Sequence, residues 1–254
     1  MEFRFDPATL IGFCLALARS TAWVSICPPF NSPSVPARVR VGFAVALSFL
    51  LAGRIGATAD PAITVAGLVT ALVTQIVAGL ALGLFVSVLF SAIQSAGELI
   101  DLQIGFSLGG VIDPISGNMA APVGRLHQLL AITILFAING HVLLVHAFLR
   151  SVDAAPLGQL NVSELAESLA KLLGVLLAAA IEIALPILAA LFCAEVALGL
   201  LGKAAPQLNI LVIGFALKTM IAFALLAGTL FLLPESTKSL LGKALRAASG
   251  IFGG

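Results

Sequence analysis

The sequence predicts an all-α integral membrane protein of long helical hairpins with broken helices, and three observations predict it. Hydrophobic residues make up 60% of the chain and charged ones 10%, with a mean hydropathy of +1.15, against about 45–50% and about 25% in soluble domains. The apolar residues lie in long runs, and no polar stretch is long enough to fold as a soluble module. Between two such runs, Ser95 to Arg125 sets carboxylates and Gly-Gly, Asp-Pro and Ser-Gly pairs where hydrophobic walls surround them. Irregular backbone at membrane depth is tolerated only where protein buries it or water lines it, so this stretch reads as the functional centre. The rest of the 254 residues reads as its scaffold, one membrane domain over 1–254.

Six hydrophobic segments follow in order. Phe5-Asp6-Pro7 has the form of a helix start, with Asp6 placed to cap and Pro7 in the first helical position. Glu2 and Asp6 flank Arg4 and no small-residue cleavage site follows, so the N-terminus does not read as a signal peptide. The first run, 8–27, holds one charge, Arg19, and stops at Pro28-Pro29. The second, 39–53, opens beside Arg38 and Arg40 and is short for a crossing, which takes about 20 helical residues. The third, 62–104, would as one helix measure about 65 Å at 1.5 Å per residue. It must either turn near Thr74-Gln75 or Gly79, or run well beyond the hydrocarbon. Gly79 and Gly83 form a small-residue row that would let another helix approach closely.

The fourth run, 126–149, reads as one clear span interrupted by Asn139-Gly140-His141. The fifth, 172–202, contains Glu182, Pro186 and Glu195, and Lys203 to Asn209 breaks it. The sixth, 210–233, carries Lys218, and the tail 235–254 sets Lys238, Lys243 and Arg246 on an apolar background, as in an interfacial helix. Basic residues stand at nearly every turn, so the positive-inside rule does not fix orientation.

Charge chemistry concentrates at few positions. Glu98 and Asp101 are three apart and share a helix face. With Gln103 they read as a water-contacting lining or as a pairing site for a partner's cation; the competing reading has the helix end here with both carboxylates in interfacial water. Glu182 and Glu195 can pair with Lys203 and Lys218 within the chain or across subunits. Pro206 removes a backbone donor, and Gln207 and Asn209 can bond the freed carbonyls or an adjacent subunit. His141 and His146 are five apart, which does not place two imidazoles on one helical face for a metal, and Cys14, Cys27 and Cys193 stand far apart in apolar surroundings. No dinucleotide fingerprint, P-loop or nucleophile motif occurs, so no catalytic residue, metal or cofactor is expected. The net charge of +1 gives no footprint for nucleic acid.

An ordered set of motifs then matches a known family. Ala96-Gly97-Glu98-Leu99-Ile100-Asp101, Gly105-Phe106-Ser107-Leu108, Asp113-Pro114, Asn139-Gly140-His141 and Pro206-Gln207-Leu208-Asn209 are joined by Arg19, Pro28-Pro29-Phe30 and Pro36-Ala37-Arg38-Val39-Arg40. Together they resemble the flagellar biosynthetic protein R family (FliR), over nearly the whole chain. The resemblance implies a subunit of the type III export gate at the centre of the flagellar basal body, in the bacterial inner membrane. It implies a fold like a P-like and a Q-like unit joined in one chain, not all of whose hairpins cross the bilayer conventionally. The implied partners are P-family and Q-family gate subunits, a B-family switch protein at the entrance, exported flagellar proteins as substrates, and membrane lipid. It also implies that loop 106–122 plugs the closed pore, with Phe106, Ser107, Leu108, Gly109, Gly110, Val111, Ile112, Asp113, Pro114, Gly117 and Pro122 as its residues. Lys203, Pro206, Gln207, Asn209 and Lys218 would then serve assembly.

The rival from another class is a small-solute secondary transporter or channel. Broken helices at Gly105–Pro122 and Lys203–Asn209 would suit a midplane site made by half-helices. No inverted repeat of matching segments accompanies them.

Overall fold

The computed structural model describes residues 7–32, 35–58, 64–106, 121–154, 162–229, 231 and 233–251. Among them the chain is helical, in the order α1 (Pro7–Ile26), α2 (Ala37–Thr58), α3 (Val65–Ile104), α4 (Pro122–Ala137), α5 (Gly140–Ala154), α6 (Val162–Ala204), α7 (Ile210–Thr229) and α8 (Leu233–Ile251). Five of these, α1, α2, α3, α6 and α7, are long and apolar enough to cross a membrane, or up to six spans if α4 and α5 count as one. The all-α membrane fold is thus the one the composition predicts.

Helix limits follow local chemistry. Pro7 opens α1, where a missing N–H costs nothing. Pro36 precedes α2, and its carbonyl accepts the first bonds, from Val39 and Arg40. The second run is not short: α2 has 22 residues, because Arg38, Arg40 and Arg54 ride on the helix instead of ending it. The third run contains no turn at Thr74-Gln75 or Gly79, and α3 runs unbroken for 40 residues. Helix α6 runs for 43 and passes through Pro186.

The fourth run departs most from expectation. It is two helices bent by 77° at the break, and α4 starts at Pro122, ahead of Leu126. Asn139 takes φ 56°, and the chain bends sharply there before Gly140 begins α5. Asn is among the few residues that accept this left-handed conformation, and it ends a helix when it does.

The chain divides into two compact units, one of Met1–Leu89, Phe136–Leu173 and Leu241–Gly254, the other of Phe90–Leu135 and Gly174–Leu240. In the first, α1 lies so close to its neighbours that glycine is required. A Cβ on Gly12 would strike the Ala52 carbonyl and lie 2.6 Å from Gly56 N, and one on Gly79 would strike the Arg19 carbonyl. One on Gly83 would meet the Trp23 carbonyl at 3.1 Å, so the expected small-residue row receives α1. Trp23 stacks on Phe148 with centroids 4.5 Å apart. Arg19 is fully buried beside them; its guanidinium donates to Gln75 Oε1 at 3.0 Å and to the carbonyl and hydroxyl oxygens of Ser151 at 2.8 and 2.9 Å.

Gly79→Val should therefore force α1 away from α3 and lower stability by about 1–3 kcal/mol, the usual range for overpacking. Gly42→Ala, at a position with nothing within 4 Å, should be neutral or slightly stabilising. Thermal midpoints of the two purified variants in detergent check the pair. Equal midpoints would remove the close-approach argument.

Candidate functional site

The second unit is built around the C-terminal end of α3. Ala96, Ile100 and Ile104 of α3, Val123 of α4, Ala184, Ile187 and Leu191 of α6, and Ala222 and Leu226 of α7 form one buried cluster. Their interlocking fixes the polar groups that project from the same turns.

Asp101 is 2% exposed. Its two oxygens accept the backbone N–H of Val123 at 3.1 Å and of Gly124 at 2.9 Å. These are orphan donors of the first turn of α4, so Asp101 caps a helix that begins 21 residues downstream, at Pro122. A carboxylate there also meets the positive end of the α4 dipole. Backbone contact makes the reach possible: a Cβ on Gly97 would lie 2.6 Å from Gly124 Cα. His127 is buried one turn on, with Nδ1 3.0 Å from the Val123 carbonyl.

Glu98 shares the face but not the fate. It is exposed and accepts a bond from Gln94 Nε2 at 2.8 Å. The two carboxylates therefore have separate roles, one buried as a cap and one free to meet solvent or another chain.

Helix α3 ends at a glycine in the left-handed region. Gly105 takes φ 107°, and the Gly105 and Phe106 amides both donate to the Asp101 carbonyl at 3.0 Å. Phe106 packs edge-on against Phe215, with centroids 5.6 Å apart. Beside this end stands a polar triad. Gln103 Nε2 donates to Glu195 Oε2 at 2.8 Å, Lys218 Nζ donates to the Gln103 carbonyl at 3.2 Å, and Lys218 pairs with Glu195 at 3.6 Å. The ammonium thus serves a carbonyl of the last turn of α3 and balances one carboxylate. Residues expected in different groups, Gln103 for a lining and Lys218 for assembly, meet in one network. Glu195, noted in the sequence only as an ion-pair candidate, holds them together.

The sequence pattern of the bacterial export proteins, family 1, matches residues 10–244. The chain belongs to that family. It is 32% identical to the flagellar biosynthetic protein FliR of Escherichia coli (strain K12), over 83% of this chain and 81% of that one. It is 32% identical to the FliR of Pectobacterium carotovorum subsp. carotovorum, over 90% and 87%. The Yop proteins translocation protein T of Yersinia pestis is 31% identical over 53% of each chain.

The remaining expected residues of this export-family chain lie elsewhere in the second unit. Lys203 stands in the last turn of α6, and Pro206 and Gln207 are exposed in the connection to α7. Asn209 caps α7, its Oδ1 3.4 Å from the Val212 amide and its carbonyl accepting from Ile213. None of the four joins the triad. Of the plug residues, Phe106 and Pro122 are described, whereas Ser107, Leu108, Gly109, Gly110, Val111, Ile112, Asp113, Pro114 and Gly117 lie outside the described residues. Both ends of that segment are fastened to one frame, by the α3 terminus on one side and by the Asp101 cap on the other.

Proposed function

We propose that this export-family chain is a subunit of a type III protein export gate, in the bacterial inner membrane at the centre of the flagellar basal body. It forms part of the closed pore through which unfolded substrates pass, and loop 106–122 is the plug. The observation that carries the reading is the breadth of the likeness: flagellar FliR proteins match over 83% and 90% of this chain, and the Yop proteins translocation protein T over 53%. That contrast favours a flagellar system. The fastening of both loop ends supports the plug, because a segment can leave a lumen and return only if its anchors hold.

In this reading the chain, 1–254, works as one export domain whose two units answer to P-like and Q-like portions. Its partners are P-family and Q-family subunits and a B-family switch protein, with flagellar proteins as cargo. Glu98 is the carboxylate offered to the lumen or to a partner, and Asp101 fixes the start of α4. Lys203, Pro206, Gln207 and Asn209 serve assembly, and Gln103 and Lys218 brace the frame on which the plug sits. No catalysis is assigned to the chain.

Shortening the loop between Ser107 and Ala121 tests this. The frame bonds from Asp101 and the Phe106 packing are untouched, so the chain should still assemble with its co-expressed partners. The seal should fail, and cells should leak small ions; each charge crossing dissipates about 2.3 kcal/mol per 100 mV. Replacing Leu108, Val111 and Ile112 together by serine keeps the length and should also leak. An assembled complex with no added leak from either variant would reduce 106–122 to a connector. Lost flux of a small solute would instead favour the transporter reading.

A further inference from the structure

Helix α6 carries a charge that nothing among the described residues meets. Between Leu172 and Ala194 Glu182 is the only charged residue, and it stands at the middle of a stretch long enough to cross the hydrocarbon. It is exposed, and it has no hydrogen bond or ion pair among the described residues. Ile181 and Leu185 beside it are 52% and 56% exposed, so the surroundings are apolar. Glu195 on the same helix shows the contrast, for it is paired with Lys218.

A second observation points to a donor. Pro186 lies inside α6 and is exposed. Having no N–H, it leaves the carbonyl four residues back, that of Glu182, without its helical donor. One residue thus presents a carboxylate and a freed carbonyl at mid-span. Acyl chains can satisfy neither. Ala178 and Ala189, exposed on the same row, leave room for a helix to come close.

We infer that Glu182 is the docking point for a transmembrane helix of an unlike chain, one that carries a single Lys or Arg at mid-depth. Its ammonium or guanidinium would serve the carboxylate and the freed carbonyl together. A second copy of this chain does not supply that group. Its mid-span cations are committed, Arg19 to Gln75 and Ser151 and Lys218 to Glu195 and Gln103. Two copies would set carboxylate against carboxylate. The inference deepens the gate reading by giving one partner contact its chemistry, but it rests only on the membrane fold.

Photo-crosslinking from positions 178 and 189, in the full chain in its native membrane, identifies what lies there. The expected adduct is an apolar peptide of another protein with one Lys or Arg. Glu182→Lys should then lower recovery of that partner at least tenfold, and changing the partner's cation to Glu should restore it. Glu182→Gln, which keeps both acceptors without the charge, should lose less. Adducts to lipid alone, to a second copy or to a helix without a cation would overturn the inference. So would full recovery with Glu182→Lys, or failure of every charge reversal to restore it. Export by a deletion strain given the unaltered chain tests the gate reading separately, since that result does not depend on Glu182.

Discussion

Arg19→Ala is expected to destabilise the first unit by about 2–5 kcal/mol, the range for truncating a large buried side chain, with unpaired buried acceptors adding to it. The side chain is fully buried, and its loss strips Gln75 Oε1 and the Ser151 carbonyl of their donors while opening a cavity beside Trp23. Arg19→Met keeps most of the volume and removes the charge with its desolvation cost, so it should lose less, about 1–3 kcal/mol for the acceptors left unpaired. Arg19→Lys should fall between, because one ammonium on a different stem cannot reproduce the planar fork that reaches two helices. The fraction of monodisperse protein surviving a heating series in detergent ranks the three. An alanine variant as robust as the parent would mean the network is not structural.

Asp101→Ala should be nearly as damaging to the second unit, at about 3 kcal/mol for two charge-assisted bonds to buried amides. Asp101→Asn keeps one acceptor oxygen and should cost about 1–1.5 kcal/mol. Glu98→Ala, by contrast, removes only an exposed bond to Gln94 and should change stability by less than about 0.5 kcal/mol. The direct readout is hydrogen exchange at the Val123 and Gly124 amides, which should quicken in Asp101→Ala and not in Glu98→Ala. Unchanged protection in the Asp101 variant would separate the cap from the stability of α4.

Much of this architecture was legible because hydropathy and helix-breaking residues act locally. The runs of apolar residues coincide with the described helices that are long and apolar enough to cross a membrane, Gly79 and Gly83 marked a close approach, and the Gly-rich stretch after Gln103 marked the end of α3. What was not legible depends on residues far apart in sequence. The three-residue spacing of Glu98 and Asp101 placed both on one face, but only the return of the chain at Pro122 makes Asp101 a cap. Arg19 stood out as the one charge in its run, yet Ser151 did not stand out as its partner, since a neutral serine leaves no charge pattern to match. The break at Asn139 was visible as a polar interruption. Nothing local decided that the chain would bend there, because Asn tolerates helix and left-handed turn alike. Lys218 was expected to pair with a glutamate, and the further link through Gln103 required α3, α6 and α7 to converge.

The Arg19 network also sets a timetable for the nascent chain. Arg19 is made well before its partners, for Gln75 follows 56 residues later and Ser151 132 residues later. At about 5–20 residues per second, the ribosome reaches Ser151 on the order of ten seconds after it has made Arg19. Through that interval the guanidinium has at most Gln75 of its partners, so its remaining donors must be met by water or the insertion machinery. Helix α1 thereby settles only once α5 is made, and a chain truncated before α5 should be cleared by proteolysis instead of accumulating.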